Sequence, residues 1–383
     1  MPVVRVAHII TKLELGGAQQ NTLFTVAHLD RARFQPILIT GERGLLDDEA
    51  DRLTGVDLHR VASLRRPIHP WMDARALVEL TRLLKRLQPT IVHTHSSKAG
   101  ILGRLAAHRA GVPVIIHTIH GLGITPDQPV WLRGMLIRAE RLAGRHTTRC
   151  FAVSEANREA AIRLRLIPAD RCVVLRSGID IAAYRNRRID VQAKRRELGL
   201  SVDHAVIGMV APMKAQKAPL DFVRVARAVQ EARPDAQFVY VGDGPLRRAV
   251  EQEIVRLGPA GLVRLVGWRR DVPDLLRCFD ALLLTSRWEG LPRVYLEALA
   301  SGVPVVGTAV DGAGEVIQDA VNGFLCAPGD IEALAQKVLY LIEKPDEARR
   351  LGRTGQQGLP ADFDIHAMVR AQERHYSDLT QLN

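Results

Sequence analysis

Residues 281–306 read ALLLTSRWEGLPRVYLEALASGVPVV. The apolar run from Ala281 to Leu284 predicts a buried strand, Gly290 and Pro292 mark a loop, and a helix is expected from about Pro292 to 301. Proline suits a first helical turn, because its missing N–H would be unpaired there anyway. A second strand is expected over 303–307. Strand, loop, helix and strand in this order form the unit of a parallel sheet, whose ligands bind beyond the carboxyl ends of its strands. Backbone N–H groups at such a helix start point outward and suit an anion. Glu289 lies in the loop and Glu297 about two helical turns on, so both can face one crevice and accept hydrogen bonds from vicinal hydroxyls.

The same alternation extends in both directions. Strands are expected over 3–10, 35–40, 89–94, 113–118, 149–153 and 171–175, with helical spacing over 18–30, 73–88, 98–110, 131–143 and 154–165. After about residue 180 the pattern restarts, with strands at 205–210, 236–241, 262–266 and 280–285 and helices at 218–232, 245–257 and 330–343. The Arg-rich stretch 184–197 reads as a connection. The last segment, 364–381, is helical after Gly355, Gly358 and Pro360. These signals define an α/β chain of two doubly wound, Rossmann-like domains. The first covers 1–180, with 364–381 packing back on it, and the second covers 181–363.

Bulk composition agrees. The 383 residues exceed what one compact core usually serves, and 47% hydrophobic with 25% charged residues is ordinary for a globular protein. The formal net charge of +11 attracts polyanions without choosing among them. Cys150, Cys172, Cys278 and Cys326 form no CxxC pair and read as reduced core residues rather than a zinc site. The opening run 3–10 reads as a first strand rather than a signal peptide. No apolar stretch approaches the ~20 residues of a membrane span. The expected location is cytoplasmic, with peripheral contact on the inner face of the cytoplasmic membrane. Segment 131–145 is the candidate for that contact: it carries Trp131, Leu132, Met135, Leu136 and Leu142 among Arg133, Arg138, Arg141 and Arg145.

The segment from Thr285 to Val306 resembles the nucleotide-sugar signature of the retaining GT-B glycosyltransferases of family 4: a Glu, seven residues, a second Glu, then a small-Gly-x-Pro-Val-Val run. The similarity runs through nearly the whole chain, with motifs in the expected order. It implies a GT-B fold, two Rossmann-like domains facing across a cleft. It implies that Glu297 holds the nucleotide ribose, that Glu289 lies beside the donor sugar, and that the backbone of Arg293 and Val294 meets the sugar and distal phosphate. In Val210-Ala211-Pro212-Met213-Lys214-Ala215-Gln216-Lys217, Lys217 matches the lysine of a diphosphate clamp. Pro212 stands where an arginine is usual, and Lys214 is the candidate replacement, a point charge without the guanidinium fork. Gly242 in Val241-Gly242-Asp243-Gly244-Pro245 resembles the family's glycine turn. The backbone of Trp268 and Arg269 resembles its base-side loop. In Asp311-Gly312-Ala313-Gly314-Glu315, Asp311 replaces a glycine, although Asp takes positive φ less readily. Gly16 and Gly17 open a helix after the first strand, where glycine permits close approach of a diphosphate.

Histidines close two successive strands in His93-Thr94-His95 and His117-Thr118-Ile119-His120. No acid or Cys accompanies them at ligand spacing, and the resemblance implies no metal. His120 matches the family's sugar-facing His and is expected to donate a hydrogen bond to the donor sugar, while His95 and Lys98 line the acceptor side. Catalysis is thus expected from His120, Glu289 and Lys217, with no cofactor. The expected reaction is retaining transfer of a hexosyl unit from a nucleoside diphosphate sugar, UDP-sugar before GDP-sugar, to a hydroxyl of a glycan or lipid-linked saccharide in cell-surface polysaccharide or lipopolysaccharide assembly. A nucleotide-sugar epimerase of the same fold is the first alternative. A nucleic-acid-binding protein is disfavoured by scattered basic residues and few aromatics. A dehydrogenase is disfavoured because Gly17 is followed by Ala18-Gln19-Gln20-Asn21 and not by the dinucleotide fingerprint.

Overall fold

The computed structural model describes residues 3–125, 128–258 and 261–381. The chain divides into two units: one runs to Gly178 and takes in the final helix, the other spans Ile179–Asp364.

The first unit contains β1 (Val4–Lys12), β2 (Phe34–Glu42), β3 (Asp57–Arg60), β4 (Ile91–His95), β5 (Val114–Ile119), β6 (Arg149–Ala152) and β7 (Cys172–Val174). They form one sheet in the order β3-β2-β1-β4-β5-β6-β7, every pair parallel. The chain winds outward from β1 to β3, then returns to place β4 on the other side of β1. In the second unit β8 (Val206–Val210), β9 (Gln237–Val241), β10 (Arg264–Leu265), β11 (Ala281–Leu284), β12 (Val305–Thr308) and β13 (Gly323–Cys326) repeat this scheme in the order β10-β9-β8-β11-β12-β13, again all parallel. Both units are Rossmann-like.

The long apolar runs predicted as strands are strands. The differences fall at sheet edges. β3 and β13 were not expected, and β10 has two paired residues instead of the predicted five. Edge strands are short and bury one side only, so their apolar signal is weak. The stretch 184–197 is not a plain connection, because it holds the end of the helix Ile181–Arg185 and the helix Val191–Glu197. A helix also runs unbroken over Pro345–Gly358, where the sequence reads only as a Gly/Pro-rich stretch before the last helix. A Cβ at Gly352 would lie 2.1 Å from the carbonyl oxygen of Gly302, so glycine there allows two backbones to touch.

The final helix, Ile365–Gln381, buries Ile365, Met368, Val369, Tyr376 and Leu379 with Val6, Phe34, Ile116 and Phe151 of the first sheet. Each side chain so buried is worth roughly 1.5–3 kcal/mol relative to exposure. All four cysteines are buried free thiols.

Candidate active site

In the second unit the winding reverses between β8 and β11, the place where doubly wound sheets bind ligands. Lys217 comes from the loop after β8 and Glu289 from the loop after β11. The Lys217 ammonium donates to Glu289 Oε1, with the two side chains 15% and 6% exposed. Ser286 Oγ donates to the same oxygen at 2.5 Å. Gln216 Nε2 donates to the Trp288 carbonyl at 3.0 Å and lies 3.5 Å from Glu289 Oε2. A buried carboxylate is tolerable when paired and hydrogen-bonded in this way, and removing one partner strands the other.

Glu297 projects from the helix Arg293–Ala300, which Pro292 caps from outside, one residue later than the expected start. Arg293 and Val294 are the opening residues of this helix. Burial pushes the Glu297 carboxyl above its ordinary range, while Arg293, a hydrogen bond from Tyr184 and the charge of Lys217 pull it back. The Arg293 guanidinium lies 3.8 Å from Glu297 Oε1. Tyr184 escaped the sequence reading. Its one signal was a lone aromatic in a stretch of Arg and Asp.

Asp311 does adopt the left-handed region, with φ 38°. Its carboxylate accepts from the backbone N–H of Glu289 at 2.6 Å. The residue that replaces a glycine therefore ties the loop bearing Glu289 to the turn after β12, a link that glycine cannot make.

The turn after β9 presses on the loop after β8. Gly242 has φ 138°, and a Cβ there would sit 2.0 Å from the Ala211 carbonyl oxygen. Met213 N–H donates to the Asp243 carbonyl at 2.9 Å. The same glycine donates its N–H to the Gly267 carbonyl at 2.8 Å, which brings in the loop of Trp268 and Arg269. The Arg269 side chain is held by Asp271 at 2.7 Å and Glu197 at 2.9 Å. Pro212 offers no cation, and Lys214, partly buried, caps the 3-10 turn Ala215–Lys217.

In the first unit, Gly16 caps the helix Gly17–His28 after β1. His95 ends β4 and His120 follows β5. They share a pocket with Asn21, Thr118, Ser177 and Gln372 and with the apolar Val153, Leu175 and Met368. Asn21 is 3% exposed and neither of its amide atoms has a partner among the described residues, a buried polar group that the sequence reading passed over. Lys98 is tied to Asp73 Oδ1 at 2.6 Å and to the Pro67 carbonyl. His8, His93 and His95 each offer a ring nitrogen within 4.8 Å of the others, a grouping hidden in the sequence because His8 lies in β1. Both nitrogens of His93 are already engaged, by Tyr376 Oη at 2.5 Å and Thr118 Oγ1 at 2.6 Å.

The two parallel sheets match the fold of known proteins, and the sequence matches their families. The family described as Glycosyltransferase Family 4 matches residues 15–183, and Glycosyl transferases group 1 matches 190–358. The chain is 32% identical over 343 residues to the Escherichia coli UDP-Gal:alpha-D-GlcNAc-diphosphoundecaprenol alpha-1,3-galactosyltransferase, covering 89% of this chain and 88% of that one. It is 23% identical to the Staphylococcus aureus capsular polysaccharide biosynthesis glycosyltransferase CapM over 84% of this chain and 85% of the relative. Among solved structures, Anabaena HepE in complex with UDP and glucose superposes with TM-score 0.85 at 22% identity, covering 98% of this chain and all of the other. WaaG, a glycosyltransferase involved in lipopolysaccharide biosynthesis, gives TM-score 0.80 at 17% identity, covering 95% and 98%. The fold and both halves of the sequence thus agree: the chain is a member of glycosyltransferase family 4.

Proposed function

We propose that the chain moves a hexosyl unit from a UDP-sugar to a hydroxyl of a lipid-linked saccharide in cell-surface glycan assembly, with retention of anomeric configuration and without a metal ion. The observation that carries this reading is the Lys217–Glu289 pair at the reversal of the second sheet, with Glu297 on the adjoining helix. UDP as carrier and a lipid-linked acceptor are favoured by the name of the Escherichia coli relative.

Breaking the anomeric bond leaves negative charge on the departing diphosphate. Lys217, Lys214 and the N–H groups of Arg293 and Val294 would stabilise it, as preorganised charge does best in a water-poor site. Glu297 would accept from the ribose hydroxyls and Glu289 from the sugar. His120 would donate to the sugar, with His95 and Lys98 toward the acceptor. A double displacement needs a carboxylate at the anomeric carbon. Glu289 is the motif acid available; Lys217 and Ser286 hold one oxygen of its carboxylate, and its role here is to orient hydroxyls while attack comes from the front face.

Among the described residues, no helix is long and apolar enough to cross a membrane. A lipid-linked acceptor is then best met from the side. The helix Val130–Arg145 buries only Ala143 and Gly144, and exposes Val130, Trp131, Met135 and Leu142 beside Arg133, Arg138, Arg141 and Arg145. Such a face suits anionic lipid.

The deciding experiment supplies UDP-hexoses with undecaprenyl-diphosphate-linked N-acetylglucosamine, with and without a chelator. An α-linked disaccharide formed equally with chelator supports the proposal. Inverted product, chelator-sensitive transfer, or isomerised donor without acceptor refutes its corresponding part.

A further inference from the structure

Behind His120 runs a line of buried imidazoles. His120 Nε2 lies 3.1 Å from His95 Nδ1, and His95 Nε2 lies 3.1 Å from His8 Nδ1. The His8 and His95 rings are nearly coplanar, 5° apart with centroids at 5.4 Å, which suits an edge-to-edge N–H···N bond. His8 is wholly buried at the middle of β1, in register with His93 of β4. Its Nε2 has no partner among the described residues.

Burial pushes the His8 imidazole down to about 3, and it holds His95 well below the ordinary histidine range. Each ring therefore carries one proton, and two bonds in series leave two arrangements. Either His8 Nδ1–H donates to His95 and His95 Nδ1–H donates to His120, or both bonds run the other way. The second leaves an N–H on His8 Nε2 buried with no acceptor. The first leaves only a lone pair there. Orphaned buried N–H groups are the rarer case in folded proteins. The neighbouring His117 has its proton on Nδ1 independently, since that atom faces the Thr94 carbonyl at 3.1 Å, which can only accept.

We propose that His8 and His95 are positioning residues, a one-way hydrogen-bond relay that fixes His120 as the Nδ1–H tautomer with Nε2 as acceptor. The nitrogen that carries the proton is set by the bond made at the other. The relay spends His120 Nε2 on the protein and puts the ring proton on Nδ1. That this ring faces the donor sugar rests on the proposed function; the tautomer does not.

The test is ring-¹⁵N NMR on the full chain with labelled histidine and no substrate, His120 being assigned from His120→Ala. The expected wild-type spectrum shows His120 protonated at Nδ1. His8→Asn keeps an N–H donor near the position of Nδ1 and should preserve that tautomer. His8→Asp offers only acceptors and should move the proton of His120 to Nε2. In transfer assays His8→Asn should remain within about threefold of wild type, while His8→Asp should lose roughly ten- to a hundredfold in kcat with KM little changed. A wild-type His120 protonated at Nε2 overturns the relay whether or not any variant folds. Equal kcat losses in both folded variants overturn the positioning role. If His120→Ala transfers sugar normally, the site assignment of His120 falls while the spectra still decide the relay.

Discussion

Replacing Lys217 by alanine tests two consequences of one contact. In the folded protein its ammonium is the only cation hydrogen-bonded to the Glu289 carboxylate among the described residues, and Glu289 is 6% exposed. Breaking a buried ion pair from one side costs about 3–5 kcal/mol. Ser286 Oγ still holds the carboxylate at 2.5 Å, which places the expected loss at the lower end, about 3 kcal/mol. For a unit of this size that lowers Tm by roughly 6–12 °C. Glu289→Gln removes the charge that needs Lys217, so the double variant Lys217→Ala with Glu289→Gln should recover about half of the stability lost. Transfer behaves differently. Losing a charge stabiliser of the leaving diphosphate costs about 10²–10³ in kcat, and the second substitution cannot restore it. Differential scanning calorimetry and a radiolabelled-donor assay on the three variants separate the effects. Additive stability losses, or near wild-type turnover in Lys217→Ala, would refute the reasoning.

Glu297→Ala should weaken UDP binding by about ten- to a hundredfold, and Tyr184→Phe by up to about tenfold through loss of one hydrogen bond to a charged group; unchanged calorimetric affinity in both would remove Glu297 from the ribose. Asp311→Gly keeps the backbone conformation but releases the Glu289 N–H, and should lower kcat about fivefold, whereas Asp311→Asn retains an acceptor and should stay near wild type; equal activity in both variants counts against the tie. Burial holds His8, His93, His95 and His117 below 6.5, so the folded state binds fewer protons than the unfolded one as pH falls through that value. Stability should therefore be full above pH 6.5 and drop below it, by about 2 kcal/mol per imidazole at pH 5; urea melts that match at pH 7 and pH 5 would contradict this. Sedimentation with phosphatidylglycerol vesicles, but not phosphatidylcholine vesicles, should carry the chain down, and Trp131→Ala with Arg138→Glu should abolish it; equal sedimentation with both lipids would refute the basic face.

The interior of each sheet was plain in the sequence because parallel strands buried on both faces read as unbroken apolar runs, as Ala281–Leu284 and Val114–Ile119 do. β3, written Asp57-Leu58-His59-Arg60, has no such signature and exists only because β2 offers it an edge. The helix through Gly352 and Gly355 was obscured for a related reason: local propensity argues against it, and a tertiary contact requires it. In the candidate site, Glu289 and Glu297 stood out by their motif spacing and Lys217 by the family resemblance of its loop. Their partners did not. Ser286, Tyr184 and Asp311 are ordinary residues made significant by the fold, at separations of 3 residues for Ser286–Glu289 and 22 for Glu289–Asp311. His8 likewise reads as one residue of a strand until register sets it beside His93.

The central claim is that the second unit binds a nucleoside diphosphate through Glu297 and Lys217. Isothermal titration of UDP into wild type, Glu297→Ala and Lys217→Ala tests it most directly. The account predicts saturable binding by wild type without added metal and a loss of at least about tenfold in each variant, a difference of 1.4 kcal/mol. Absence of UDP binding by the folded wild type, or one common affinity for all three proteins, would contradict it.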